Sequence, residues 1–127
     1  MSRKPHLEFH GVDLGVGWET PSGYPAGFKH KILVSDLDET RKTGRRSRLM
    51  KIEPHAYTSQ PFVHDHWEEV FLFEGDLIVG NDAEGQGGVR YDAPTYAIRP
   101  PGVYHGPFTT TSGCLMFELH YYDPLTE

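Results

Sequence analysis

Four residues of this chain carry donor atoms at a spacing that suits a metal ion: His64, His66, Glu68 and His105. His64, His66 and Glu68 alternate along the sequence, so on an unbroken strand they would project to one face. Metal ligands need lone pairs converging from different directions, and a β-scaffold supplies them when inward His and carboxylate side chains come from neighbouring strands. His105 would join from a second stretch, Arg99 to Gly106, in which Pro100, Pro101 and Gly102 form a rigid turn. Glu69 is the other carboxylate candidate. A His/Glu set with open positions suits one divalent transition metal, Fe(II) first and Mn, Ni, Cu or Zn as alternatives, because nitrogen and oxygen donors bind all of them. Tyr104, next to His105, offers a hydroxyl as a proton donor.

The elements that must hold these residues read as short strands. Residues 30–34 and 49–52 are apolar and pair in this reading, with the charged segment 35–48 as a solvated hairpin tip containing Arg41, Lys42, Arg45, Arg46 and Arg48. In the central stretch, Val70 and Leu72 face one way and Phe71 and Phe73 the other, which predicts a strand covered on both faces. Gly75-Asp76 is expected to turn it back into Leu77-Ile78-Val79, with a glycine-rich loop from Asn81 to Gly88. Further strands are expected at 89–91, 96–98 and 114–122. Glu118 and His120 alternate on the last, so they share a face; the sequence leaves open whether that face is inward or solvated. No helix longer than a turn is expected. Seven to nine short strands with regular turn signals predict an all-β jelly-roll barrel.

In these motifs the sequence resembles the cupin superfamily, whose double-stranded β-helix barrels carry the patterns G-x5-H-x-H-x3,4-E-x6-G and G-x5-P-x-G-x2-H-x3-N. The chain has His64-x-His66, six residues between Glu68 and Gly75, and Pro100-x-Gly102-x2-His105. It departs from the pattern in having only Trp67 between His66 and Glu68, in lacking the leading glycine, where Thr58 stands, and in having Thr109 for the final Asn. Counting back from Glu68 by the family spacing makes His64 the second histidine, sets Phe62 at the position of the first, and leaves His66 in a turn. The resemblance implies a cupin barrel and a metal held by His64, His66, Glu68 and His105. It also implies metalloenzyme chemistry on a small organic substrate, foremost dioxygenase-type C–C cleavage of a diketone, hydroxy-keto or aromatic compound. A non-catalytic metal- or ligand-binding module on the same fold is the alternative.

Composition bounds these readings. At 127 residues the chain fits a single domain, 1–127, with an arm at about 1–29 that is rich in Gly and Pro and anchored by Trp18, Tyr24 and Phe28. A net charge of −6 disfavours nucleic acid and anionic membranes as partners and leaves a small-molecule substrate, with a homodimer as the expected assembly. Residues 1–10 lack the apolar core of a signal peptide and no long apolar run occurs, so a cytoplasmic location is expected. Cys114, the single cysteine, lies in an apolar run and reads as buried and inert. Phe62, Trp67, Tyr96, Tyr104 and Phe108 flank the ligand positions and are candidate pocket walls. His6, His10, His30 and His55 read as surface or loop residues.

Overall fold

The computed structural model describes residues 5–123. Among the described residues seven strands form: β1 (Phe28–Ser35), β2 (Arg45–Ile52), β3 (Trp67–Val79), β4 (Val89–Asp92), β5 (Thr95–Arg99), β6 (Phe108–Thr109) and β7 (Cys114–Tyr121). No helix occurs among the described residues, and so none is long and apolar enough to cross a membrane. All pairings are antiparallel. The order β1-β2-β7-β3-β5 makes one sheet, and the second half of β3 pairs with β4 and β6 to make the other.

Strand alternation sorts the interior into layers. Arg48, Met50 and Ile52 of β2, Cys114, Met116, Glu118 and His120 of β7, and Glu68, Val70 and Leu72 of β3 are all buried at every second position. Register then places like with like: Met50 lies opposite Met116 and Met116 opposite Leu72, while Arg46, His120, Glu68 and Arg99 fall in one row across four strands. Phe28, Met50, Ile52, Val70, Leu72, Leu77, Cys114 and Met116 form the apolar floor. Each fully buried aliphatic or aromatic side chain there contributes about 1.5–3 kcal/mol. The opposite end of the barrel is polar, and that end carries the candidate site.

β3 is the element on which both sheets depend. The expected turn at Gly75-Asp76 is not a turn: β3 continues through it, bending at a register shift between Leu72 and Glu74. Gly75 adopts φ 85°, and a Cβ there would lie 1.9 Å from the Gly113 carbonyl oxygen, so only glycine lets the strands approach this closely. Asp76 is fully buried and accepts hydrogen bonds from the backbone N–H of Thr111 (2.9 Å) and Ser112 (2.8 Å), pinning the β6–β7 turn to the bend.

Three other expectations are corrected. The outer face of β3 is not covered: Phe71 and Phe73 are 43% and 39% exposed, because no second layer lies over that side of the sheet. Arg45, Arg46 and Arg48 belong to β2 and not to a hairpin tip, and alternation turns Arg48 fully inward. His30 lies on β1, half-buried, and Phe28 begins that strand instead of ending the arm. In the arm itself, residues 5–17 are exposed and residues 1–4 lie outside the described residues; Lys31 Nζ donates to the Val16 carbonyl at 2.7 Å.

Candidate metal centre

Two extended segments bring the histidines together. Phe62 and His105 pair as an antiparallel bridge, with Phe62 N–H donating to the His105 carbonyl (2.7 Å) and His105 N–H to that of Phe62 (2.8 Å). Gly102 N–H donates to the His64 carbonyl at 2.9 Å, so the Pro-Pro-Gly turn is tied to the His64 segment. The consequence is that the Nε2 atoms of His64 and His105 lie 3.2 Å apart. Glu68, one residue into β3, presents its Oε1 3.7 Å from His105 Nδ1. One donor atom from each of His64, Glu68 and His105 lies within 4.8 Å of the others.

His66 lies in the turn that the family spacing implies for it, and Tyr104 is turned away from the cluster. His66 lies in the bend before β3, stacks on His64 (ring centroids 4.0 Å apart) and turns Nδ1 to the Trp67 carbonyl (3.1 Å). Its donors fall outside the convergent set. Tyr104 is 68% exposed; backbone alternation turns it outward where its neighbour His105 turns inward. Its expected role as a proton donor at the cluster is not supported by this placement. Of the candidate walls, Phe62 and Phe108 stack beside His105 (6.2 Å between their centroids), and Tyr24 stacks on Phe62 at 4.9 Å. Trp67 stacks with Tyr121 instead, and the Tyr96 hydroxyl donates to Glu69 (2.6 Å). Glu69 also receives the Tyr121 hydroxyl at 2.8 Å, which engages it away from the histidines.

Beneath the histidines lies a charged network that motif spacing alone does not reveal. Glu68 accepts Arg99 Nη1 on Oε1 (2.9 Å) and His120 Nε2 on Oε2 (2.9 Å). Arg46 Nε donates to His120 Nδ1 at 3.0 Å. A guanidinium can only donate, so Nδ1 accepts and the His120 proton resides on Nε2, facing Glu68. Arg48 Nε donates to Glu118 Oε1 at 2.8 Å, and its Nη1 lies 2.9 Å from His30 Nδ1. Glu68, Glu118 and His120 form a second convergent donor set, all buried. The signal for it was the alternation of Cys114, Met116, Glu118 and His120; only the burial of the two apolar members decides that the face is inward.

Electrostatics keep the cluster in a ligating state. Burial pushes the His105 imidazole down to about 4 against the pull of Glu68, and burial with neighbouring His64 and His120 takes His66 to about 4. His64 is also lowered, chiefly by burial. Burial alone would raise the Glu68 carboxyl, but the hydrogen bond from His120 and the charge of Arg99 hold it well below the ordinary carboxylate range. Neutral imidazoles and an ionised carboxylate are what a cation binds. His105 Nδ1 is buried without a hydrogen-bond partner, and two imidazole Nε2 atoms face one another. These residues fit a divalent cation.

No protein-family model matches the sequence, and no curated protein does. Solved structures do match. An acetylacetone dioxygenase from Acinetobacter johnsonii superposes with a TM-score of 0.62 at 18% identity, over 95% of this chain and 79% of that one. An RmlC-like cupin from Shewanella frigidimarina superposes at 0.65 and 16% identity, over 98% of this chain and 97% of that one. The fold is that of the cupins. KdgF from Halomonas sp. adds a third neighbour at 0.62 and 13% identity, over 93% of this chain and 97% of that one. In this cupin barrel the His/Glu cluster occupies the polar end of the layered interior, above the apolar floor.

Proposed function

We propose that this chain is a metal-dependent enzyme acting on a small organic substrate, by dioxygenase-type C–C cleavage of a diketone, hydroxy-keto or aromatic compound. The observation that carries the reading is the convergence of His64, Glu68 and His105, two imidazoles and one carboxylate, which is the donor set of non-haem iron oxygenases with positions left open. The shared fold with an acetylacetone dioxygenase supports it. When bound, a divalent metal, iron first, would polarise a substrate oxygen and activate O2, both of whose atoms enter the cleaved substrate. The chain's own residues do the rest. Glu68 stays ionised under Arg99 and His120, His120 is held in one tautomer by Arg46, and Tyr24, Phe62 and Phe108 exclude water from the inner side of His105.

The test is oxygen consumption by Fe(II)-loaded protein against a panel of chelating diketones, catechols and hydroxy-ketones. Uptake that requires one of these compounds supports the enzyme. A second reading is favoured by one observation, the outward placement of Tyr104, which removes a proton donor from the cluster: the chain would then be a metal- or small-molecule-binding module. No oxygen uptake with any metal form, together with thermal stabilisation by a panel compound, would select that module.

A further inference from the structure

The barrel wall has a seam beside the cluster. β4 pairs with Asp76–Val79 of β3 and β5 with Glu68–Leu72, and the two do not pair with each other. Under the seam lies an apolar cavity of about 230 Å³, lined among others by Val70, Leu72, Leu77, Thr95, Ala97 and Arg99. A smaller cavity of about 30 Å³ lies under the histidines and shares Val70, Leu77 and Arg99 with the first, adding Glu68 and His105. Arg99 therefore stands between the seam cavity and the cluster.

The chemistry of Arg99 points to an anion. Its side chain is 17% exposed; Nη1 is bonded to Glu68, and its Cζ lies over the Phe108 ring, 5.6 Å from the ring centre. Among the described residues Glu68 is the one hydrogen-bond partner of this side chain, which leaves its remaining N–H groups for a ligand. A guanidinium with free paired donors beside an apolar cavity matches a carboxylate with an alkyl tail. Charge balance agrees. Inside the barrel Arg48 and Arg99 offset Glu68 and Glu118, so a divalent cation would leave a surplus of positive charge that a bound anion removes.

We propose that the cavity under the β4–β5 seam, beside the cluster, is a second ligand site for a short-chain aliphatic carboxylate, its carboxylate read by Arg99 and its tail held by the apolar lining. At about 230 Å³ the seam cavity has room for a short alkyl chain. The proposal rests on the metal-centre reading only for the charge argument; the cavity and Arg99 stand without it.

Calorimetric titration of the full chain, metal-free and Zn-loaded, with hexanoate, hexan-1-ol and hexylamine tests it, with metal content measured in the same samples. Hexanoate binds at least about tenfold more tightly than the alcohol or the amine, and Arg99→Gln removes that preference in the metal-free protein. Ala97→Leu, which fills the cavity, weakens hexanoate but not acetate, and carries the test if Arg99→Gln fails to fold. Equal binding of hexanoate and hexan-1-ol, or chain-length dependence unchanged in Ala97→Leu, overturns the proposal. Hexanoate selectivity in a protein that takes up no metal would sink the metal centre and leave this inference standing.

Discussion

His64 and His105 face each other through their Nε2 atoms at 3.2 Å, held there by the backbone bridge between Phe62 and His105. At most one of the two can donate to the other when both are neutral, whereas a cation would use both lone pairs. Purified protein reconstituted anaerobically is therefore expected to hold about one divalent metal per chain, and His64→Ala or His105→Ala to lose it. Elemental analysis after desalting checks this; full metal content in either variant would disprove the centre.

The carboxylate and the remaining histidine give a sharper test of register. Glu68 faces His105 and His120, whereas Glu69 is engaged by Tyr96 and Tyr121. Glu68→Gln should reduce metal affinity by roughly tenfold to a hundredfold and Glu69→Gln should leave it near wild type. His66→Ala should weaken binding only through lost stacking on His64. A larger loss in Glu69→Gln than in Glu68→Gln would place the ligands one residue off.

Arg48 and Glu118 form a salt bridge with 5% and 8% of their side chains exposed. Removing one partner strands the other charge in the interior, so Arg48→Met is expected to cost about 3–5 kcal/mol in urea unfolding. The double variant Arg48→Met/Glu118→Leu should recover most of that loss. Equal stability of the single and double variants would show that the charge pair is not the source.

Acid unfolding should report Asp76. Burial alone would raise its carboxyl, but the hydrogen bonds from Ser112 and Thr111, with Arg90 nearby, take it down to about 2 from an ordinary 3.8. A depressed folded-state value means that stability is complete above the unfolded value and is lost as pH falls from 3.8 towards 2. The loss is about 2 kcal/mol. Asp76→Asn should be less stable at neutral pH and should lose this pH dependence; an unchanged acid limb would assign the effect elsewhere.

Burial pushes the Cys114 thiol up to about 12, and the residue is only 5% exposed. Folded protein at pH 8 should leave it unmodified by a maleimide or a disulfide reagent, with complete reaction in denaturant. Mass spectrometry distinguishes the two. Rapid modification of folded protein would mean that the floor of the barrel opens readily.

The sequence by itself determined the all-β architecture and the burial of Cys114, and it singled out His64, His66, Glu68 and His105 as residues that carry donor atoms. Those properties are local: alternation of period two, turn residues, and donor types at fixed separations. The resemblance to the cupin pattern also implied a turn at His66, which lies in the bend before β3. What the sequence misread was decided by neighbours remote in the chain. Gly75-Asp76 has the composition of a turn, yet the approach of Gly113 and the pinning of Asp76 by the 110–113 segment carry β3 straight through. Arg46 and Arg48 look like a solvated run until β7 places His120 and Glu118 opposite them in register. Tyr104 and His105 are equivalent candidates in sequence, and only the bridge to Phe62 fixes which of them turns inward. Charge pairing across strands has no signature in one segment, because an inward arginine is stable only where the tertiary fold supplies its carboxylate.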